Sequence, residues 1–303
     1  MRDRRLFHTL LKFMRFAQKP VAGNDGFVRH LPMAIFGKQG FKSLPALAPK
    51  AFREMWPTVK PNVASPRLKV ALFAGCAQDF IYPEHLLAAL KVLAAGGVEV
   101  TFPMEQTCCG LPLVMLGEAK TAERVARQNV AAFAEDCDFI VTLCASCASH
   151  LKHGYARMLG NDAEKFSAKV MDFSSFVHKY LTPDVLPFSV RGEKVAYHAS
   201  CHLCRALGVR EAPRALIRRA AEYVPSAEEE SCCGFGGTFS AKFPEISAEL
   251  MRKKLANVAA SGATRLVLDC PGCAMQLKGG ADKAGMPTAV NHIAELLADA
   301  LLH

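Results

Sequence analysis

Short apolar runs alternate with longer segments of helical periodicity from residue 67 to the end of the chain, and the same order of runs occurs twice. In the first pass, LKVALFAG (68–75) predicts a buried strand. A helix follows from about Glu84 to Ala95, with Gly96-Gly97 as its stop. VEVTFP (98–103) predicts a second strand, residues 118–135 a long helix, and DFIVTL (138–143) a third strand. In the second pass, KVAYHA (194–199) leads to a helix over 212–223 and a short extended piece. A helix over 244–261 ending before Gly262 and a strand at RLVLD (265–269) complete it. The tails MDFSSFVHKYL and VNHIAELLADAL also correspond. Strands alternating with helices in each half predict an α/β fold, two tandem repeated domains with mainly parallel sheets.

Ahead of these passes, Leu6, Phe7, Leu10, Leu11 and Met14 fall at helical spacing, with Arg4, Arg5, His8, Lys12 and Arg15 on the other side. This predicts an amphipathic helix packed on its own body or on a partner subunit. Residues 21–66 are rich in Pro and Gly and read as an extended surface segment with Trp56 as an anchor. Three units follow: a basic N-terminal arm for docking (1–66), a first repeat (67–185) and a second repeat (186–303).

Charge sharpens the picture of the arm. Residues 1–66 carry twelve Lys/Arg and three Asp/Glu, and residues 67–303 carry 25 of each, so the whole excess of +9 lies in the arm. A neutral body argues against nucleic acid and for a protein partner, with peripheral membrane contact through the arm kept open. No apolar run approaches the ~18–20 residues of a membrane span. Arg4-Arg5-Leu6-Phe7 has the outline of a twin-arginine signal, but Lys12 and Arg15 interrupt the apolar segment, and a cytoplasmic location is expected.

The candidate chemistry lies in the cysteines. Ten of the twelve fall into two sets, Cys76, Cys108, Cys109, Cys144, Cys147 and Cys201, Cys232, Cys233, Cys270, Cys273. Both read C-x(30–31)-CC-x(34–36)-C-x2-C, at offsets of about 125 residues. Each C-C pair precedes glycine, in QTCCGLP and SCCGFGGTFSAK, where bare backbone can approach whatever the thiolates hold. The cysteines fall at or beyond the predicted carboxyl ends of strands, where α/β sheets collect ligands. In a reducing compartment such sets indicate metal or redox chemistry rather than disulfides. A structural zinc takes four ligands in a closed tetrahedron, which leaves one cysteine of each five over. A cluster of several irons can use all five, adjacent thiolates binding different irons.

This doubled pattern resembles the cysteine-rich CCG domain found in the cysteine-rich subunit of heterodisulfide reductase, the glycolate oxidase iron-sulfur subunit and the lactate-utilisation protein A family, over residues 67–303. SCHLCRALGVREAPRALI and SCCGFGGTFSAKFPEISAELMRKKL look most like lactate-utilisation protein A. FVRHLPMAIFGKQGFKSLPALAPKAFREMWP resembles the tail of that protein's partner, lactate-utilisation protein B. The resemblance implies two noncubane four-iron clusters, one on each set of five cysteines, with the second set the safer assignment. In the lactate branch the first set is often incomplete, whereas Cys144 and Cys147 are both present here. It also implies an electron-transfer subunit of an oxidoreductase complex that oxidises L-lactate to pyruvate, alongside ferredoxin-type or flavin-bearing subunits. The alternatives are a disulfide or thiol reductase subunit of the heterodisulfide reductase kind, and a zinc-stabilised interaction module without redox function.

The remaining candidates are weaker. Cys204 is expected as a spare thiol near the second site, and Cys137 as a buried small hydrophobe. His202, beside Cys201, is the first candidate for tuning a cluster or moving a proton, and His198 the second. Lys242 is a candidate for offsetting cluster charge, with a solvated lysine as the default. No nucleotide-binding loop and no catalytic triad or carboxylate pair stands out, and no catalytic residue is assigned.

Overall fold

In the computed structural model, residues 4–23, 25–29, 40–134 and 136–302 are described. Most of the HLPMAIFGKQG stretch and Glu135 lie outside them. After a short antiparallel pair, β1 (Phe27–Val28) and β2 (Leu44–Pro45), the chain builds two four-stranded sheets. The first contains β3 (Leu68–Phe73), β4 (Val98–Thr101), β5 (Phe139–Thr142) and β6 (Val170–Asp172), in the order β4-β3-β5-β6. The second contains β7 (Arg191–His198), β8 (Ala221–Tyr223), β9 (Arg265–Leu268) and β10 (Ala289–His292), in the order β10-β9-β7-β8. Every pairing in both sheets is parallel, and the strand order is the same in each repeat. The two passes of the sequence are therefore two copies of one α/β unit, as their apolar patterning requires.

The structure corrects the sequence reading in three places: the 21–66 segment expected to be extended contains the helix Phe52–Val59, the tail of each repeat opens with a fourth strand (β6, β10) that the patterning does not reveal, and one helix boundary moves. The helix expected over 212–223 ends at Ala220, and Ala221–Tyr223 become the edge strand β8, with Lys194 of β7 opposite Glu222. Pairing with β7 gives these backbone groups partners that a further helical turn on the rim would not. The first helix of each repeat packs on the last helix of the other. Pro83–Ala95 lies against Ile293–Asp299, and Glu211–Ala220 against Phe173–Tyr180. This exchange buries Leu86, Leu93, Leu216, Ile217, Ile293 and Leu297 in one apolar core shared by both repeats, and it brings the carboxyl ends of the two sheets together.

The N-terminal arm lies on both repeats. Helix Phe52–Val59 seats Phe52 and Trp56 on Phe102 of the first repeat. From the same helix Arg53 forms a buried ion pair with Asp79, Nε to Oδ2 at 2.6 Å. Arg53 also donates to the carbonyls of Met104 (3.1 Å) and Gln106 (3.2 Å). Further along, Ser43 N–H donates to the carbonyl of Gly279 in the second repeat. A Cβ at Gly279 would lie 2.0 Å from the Ser43 oxygen, so only glycine admits this approach.

Helix Arg4–Ala17 is attached through its polar side. His8 is buried against Phe80, and Arg15 and Lys12 pair with Glu54 at 2.6 and 3.3 Å. Leu10, Phe13, Met14 and Phe16 face outward, each more than half exposed. The hydrogen bond from Arg15 holds the Glu54 carboxyl down at about 2, below its ordinary 4.5. A depressed carboxyl contributes stability above its unfolded value and loses it on acidification. Glu54→Gln is therefore expected to lower urea stability at pH 6 by under about 1 kcal/mol, the range of an exposed pair. The deficit should shrink as pH falls from 4.5 toward 2; an unchanged deficit at pH 2.5 would contradict the assignment.

Candidate metal centre

Each repeat assembles its five cysteines where the carboxyl ends of its central strands meet the following helices. In the first repeat, Cys76 follows β3, Cys108 and Cys109 lie in the loop after β4, and Cys144 and Cys147 open the helix after β5. Cys76 Sγ and Cys108 Sγ approach to 3.5 Å, and the Cys147 N–H donates to Cys144 Sγ at 3.3 Å. In the second repeat, Cys233 Sγ and Cys273 Sγ lie 3.3 Å apart, and the Gly234 N–H donates to Cys232 Sγ at 3.3 Å. All twelve cysteines are free thiols.

The glycine after each C-C pair is what makes the loop. Gly110 and Gly234 stand at φ +87° and +85°, the left-handed region in which a side chain is strained. At Gly234 a Cβ would also lie 2.5 Å from the Ser247 carbonyl oxygen. Gly234→Ala is expected to cost at least about 2 kcal/mol from backbone strain and overpacking. Iron retained at the second site with an unchanged urea midpoint would contradict this.

Buried polar side chains fix both loops. Gln106 accepts from Ala74 N (2.8 Å) and donates to the Leu72 carbonyl (3.0 Å), tying the first loop to β3. Asn129 accepts from Thr107 N and donates to the Cys108 carbonyl, both at 2.9 Å, and Tyr155 OH donates to the Cys109 carbonyl at 2.9 Å. In the second loop, Ser247 Oγ donates to the Gly234 carbonyl at 2.7 Å and itself accepts from Gln276 Nε2 at 2.9 Å. Such a satisfied network holds thiols at fixed positions before any ligand arrives.

The protons of each set are unequally held. Hydrogen bonds from Cys109 and then Cys76 pull the Cys108 thiol well below its ordinary range. Cys201 and then Cys233 do the same for Cys232, with the Gly234 N–H adding to it. The second cysteine of each pair is pushed up by that thiolate, Cys109 by Cys108 and Cys233 by Cys232. Cys270 is likewise pulled well below its ordinary range, by Cys144 and then Cys273, so the fold favours the thiolate, the form that binds metal, at Cys108 in the first set and at Cys232 and Cys270 in the second.

The two sites adjoin. Ser146 Oγ is 3.2 Å from Cys144 Sγ and 3.7 Å from Cys270 Sγ, and the Ala145 N–H donates across the boundary to the Asp269 carbonyl at 2.9 Å. Cys76, Cys201 and Cys232 are half-buried and form the rim; the other seven of the ten are buried.

The surroundings of the two sets are not the same. His198, the last residue of β7, is buried with both ring nitrogens unpartnered, and a ring nitrogen lies within 4.8 Å of both Cys233 Sγ and Cys273 Sγ. His202 is half-buried, with Nδ1 3.8 Å from Cys201 Sγ at the rim, so both histidines meet the second cysteine set, His202 at its rim and His198 on its buried side. His150, three residues past Cys147, joins the first site without having stood out in the sequence. Its Nε2 is buried without a partner, and burial lowers it to about 4 against the pull of Cys108. The i, i+3 helical spacing from Cys147 is the available signal.

Lys242 is exposed, and a different cation stands near the second cysteine set. Lys42 of the arm is buried, donates to Gln276 Oε1 at 2.5 Å and lies over the Phe235 ring. Burial lowers its ammonium to about 8, opposed by the nearby Cys233. Nothing local in GFKSL signals this. Cys137 is buried in the apolar core, and Cys204 is buried with its thiol directed at the Ala199 carbonyl 3.9 Å away.

A donor set of five free thiols with N–H groups aimed at sulfur fits a metal–sulfur group at each site better than a single tetrahedral ion. Fold and paired sites together define a tandem cysteine-rich protein, and the family model for the cysteine-rich CCG domain matches residues 70–152 and 195–278. Lactate utilization protein A of Geobacillus kaustophilus is 37% identical over 239 residues, covering 76% of this chain and 98% of that protein. Lactate utilization protein A of Shouchella clausii is 35% identical with the same coverage, and lactate utilization protein A 1 of Bacillus mycoides is 33% identical over 76% and 96%. The chain belongs to the lactate utilization protein A family of CCG-domain proteins. Among solved structures, a glutamate racemase of Bacillus anthracis aligns over 78% of this chain and 80% of that one, at a TM-score of 0.31 and 12% identity, too slight a likeness to carry an argument.

Proposed function

We propose that this chain is an iron-sulfur electron-transfer subunit of an oxidoreductase complex, serving the oxidation of L-lactate to pyruvate. Two four-iron clusters would be held by Cys76, Cys108, Cys109, Cys144 and Cys147, and by Cys201, Cys232, Cys233, Cys270 and Cys273. The single observation that carries the reading is the convergence of five free thiols in each repeat, with the two sets adjoining at Cys144 and Cys270. When bound, such clusters supply one-electron chemistry. The protein's own part is to hold the thiolates in place, shield them with the shared core and leave Cys76, Cys201 and Cys232 at the rim as the way in and out for electrons. The substrate reading comes from the relatives' names, and the hydroxy acid itself would be handled by a flavin- or ferredoxin-bearing partner.

The test is iron, acid-labile sulfide and zinc per chain after purification without oxygen. About eight irons and eight sulfides are expected from two four-iron sites. Stoichiometric zinc without sulfide would overturn the reading and leave an interaction module. A signal change on adding thiol or disulfide would move it toward a disulfide reductase subunit.

The partner is expected to dock on the outward face of helix Arg4–Ala17, where Phe13 and Met14 are 68% and 56% exposed. Apolar side chains presented to solvent by a helix already anchored through its polar side fit a protein groove. Phe13→Ser with Met14→Ser should weaken binding of a ferredoxin-type partner at least about tenfold, loss of two anchors being worth over ~1.4 kcal/mol. Iron content should not change. Unchanged partner affinity together with lost binding to anionic vesicles would instead assign the face to a membrane surface. Among the described residues no helix is long and apolar enough to cross one.

A further inference from the structure

The two repeats share strand order and register, so their differences at matched positions are informative. Phe73 ends β3 opposite Thr142, and His198 ends β7 opposite Leu268, the same place in each sheet. Two residues on, Gly75 of the first repeat corresponds to Ser200 of the second. A Cβ at Gly75 would lie 3.4 Å from both Cys147 Sγ and the Phe73 ring, so this strand end looks onto the cysteine set. The first repeat therefore closes its site with a phenyl ring and a bare backbone. The second presents an imidazole and a hydroxyl at the same two positions.

Both of these groups lack partners. His198 and Ser200 are each 1% exposed, and His198 Nδ1, His198 Nε2 and Ser200 Oγ are all buried without a hydrogen bond. A buried polar group left unpaired costs about 1–3 kcal/mol, and three of them together at one strand end indicate an acceptor still to come. Cys233 and Cys273 have sulfurs within 4.8 Å of a ring nitrogen, buried at 3% and 6% exposure and 3.3 Å from each other, with Cys232 and Cys270 near enough to act on the ring by charge. Cys232 receives a backbone N–H from Gly234, whereas Cys273 Sγ accepts from the Cys233 thiol and from no backbone N–H among the described residues. Sulfur in a dry site is tuned by the hydrogen bonds it receives, and each donor stabilises the more reduced, more negative state.

We propose that His198 is a positioning residue of the second metal–sulfur site, donating one ring N–H to sulfur on the Cys233–Cys273 side, and that this contact makes the second site easier to reduce than it would be without the ring. The first site has its own buried imidazole, His150, but on a different element: it comes from the helix after Cys147, on the Cys108 side, where the second repeat has Gln276. The inference rests on the iron-sulfur reading above.

The experiment compares wild type, His198→Phe and His198→Gln, all purified without oxygen, by metal and sulfide content, redox titration followed by EPR, and pulsed EPR after 15N-histidine labelling. His198→Phe installs the first repeat's own solution, and His198→Gln keeps an N–H donor. The expected result is full iron and sulfide in all three, with one of two reduction midpoints shifted to more negative potential in His198→Phe, and that shift largely reversed in His198→Gln. One weakly coupled histidine nitrogen should be present in wild type and absent from His198→Phe. Unmoved midpoints in a fully loaded His198→Phe would overturn the proposal and leave the iron-sulfur reading intact. A strongly coupled nitrogen would overturn it in favour of direct ligation. Should His198→Phe lose metal, His198→Gln decides: retained metal with one midpoint near the wild-type value supports the N–H contact, and loss in both variants overturns it. Wild type without iron and sulfide would overturn the reading beneath it.

Discussion

Cys147→Ser and Cys273→Ser are each expected to halve the iron and sulfide of the protein, from about eight of each to about four, and together to abolish them. Each residue is buried, held against the second cysteine of its own C-C pair, and opens the helix that follows a central strand. A serine oxygen in that position leaves the fold's thiolate at Cys108 or Cys232 in place but removes one corner of the donor set. The two single variants should lose different EPR signals, because the sites draw on separate repeats. Ser146 joins Cys144 to Cys270, so the surviving signal should also broaden or shift slightly. Metal analysis with EPR of the reduced proteins checks this, beside a urea midpoint to show that both remain folded. Loss of all iron from one single variant would mean that the sets form one centre rather than two.

Arg53→Met is expected to destabilise the protein by about 3–5 kcal/mol, the usual cost of removing one partner of a buried ion pair. Asp79 is wholly buried, and burial already raises its carboxyl above the ordinary range against the pull of Arg53. Without the guanidinium it must take up a proton or stay charged in the core, and the Met104 and Gln106 carbonyls lose their donors. Combining Arg53→Met with Asp79→Leu should recover much of the loss, since two apolar groups of similar volume leave no orphaned charge. Urea denaturation of the singles and the double measures it. Because Gln106 ties the first cysteine loop to β3, Arg53→Met should also release iron from the first site faster under chelator than from the second. Equal release rates would argue against that link.

Much of the fold is legible in the chain alone. The repeat of strand, helix and cysteine at offsets near 125 residues specifies two copies of one α/β unit, since each apolar run has to be buried and each glycine stop sets where it ends. The ten cysteines are legible for the same reason: they sit at strand ends, and a parallel sheet collects its strand ends at one edge. The strand Ala221–Tyr223 is hidden because its helical propensity is decided against only by the neighbour β7 that it pairs with.

What the sequence by itself determined is local and periodic: most of the central strands and helices, that the chain repeats, and that each repeat offers five thiols, two of them just before a glycine-shaped turn. What only the tertiary structure decided is which side chains meet across long separations. Lys42 reaches Gln276 and the second site from 234 residues away, and Arg53 reaches Asp79 from the arm. His198 rather than His202 faces Cys233 and Cys273. The reason is physical: backbone periodicity is encoded over a few residues, whereas the direction in which a strand-end side chain points, and the charge an arm carries into a core, depend on how two sheets and their helices pack.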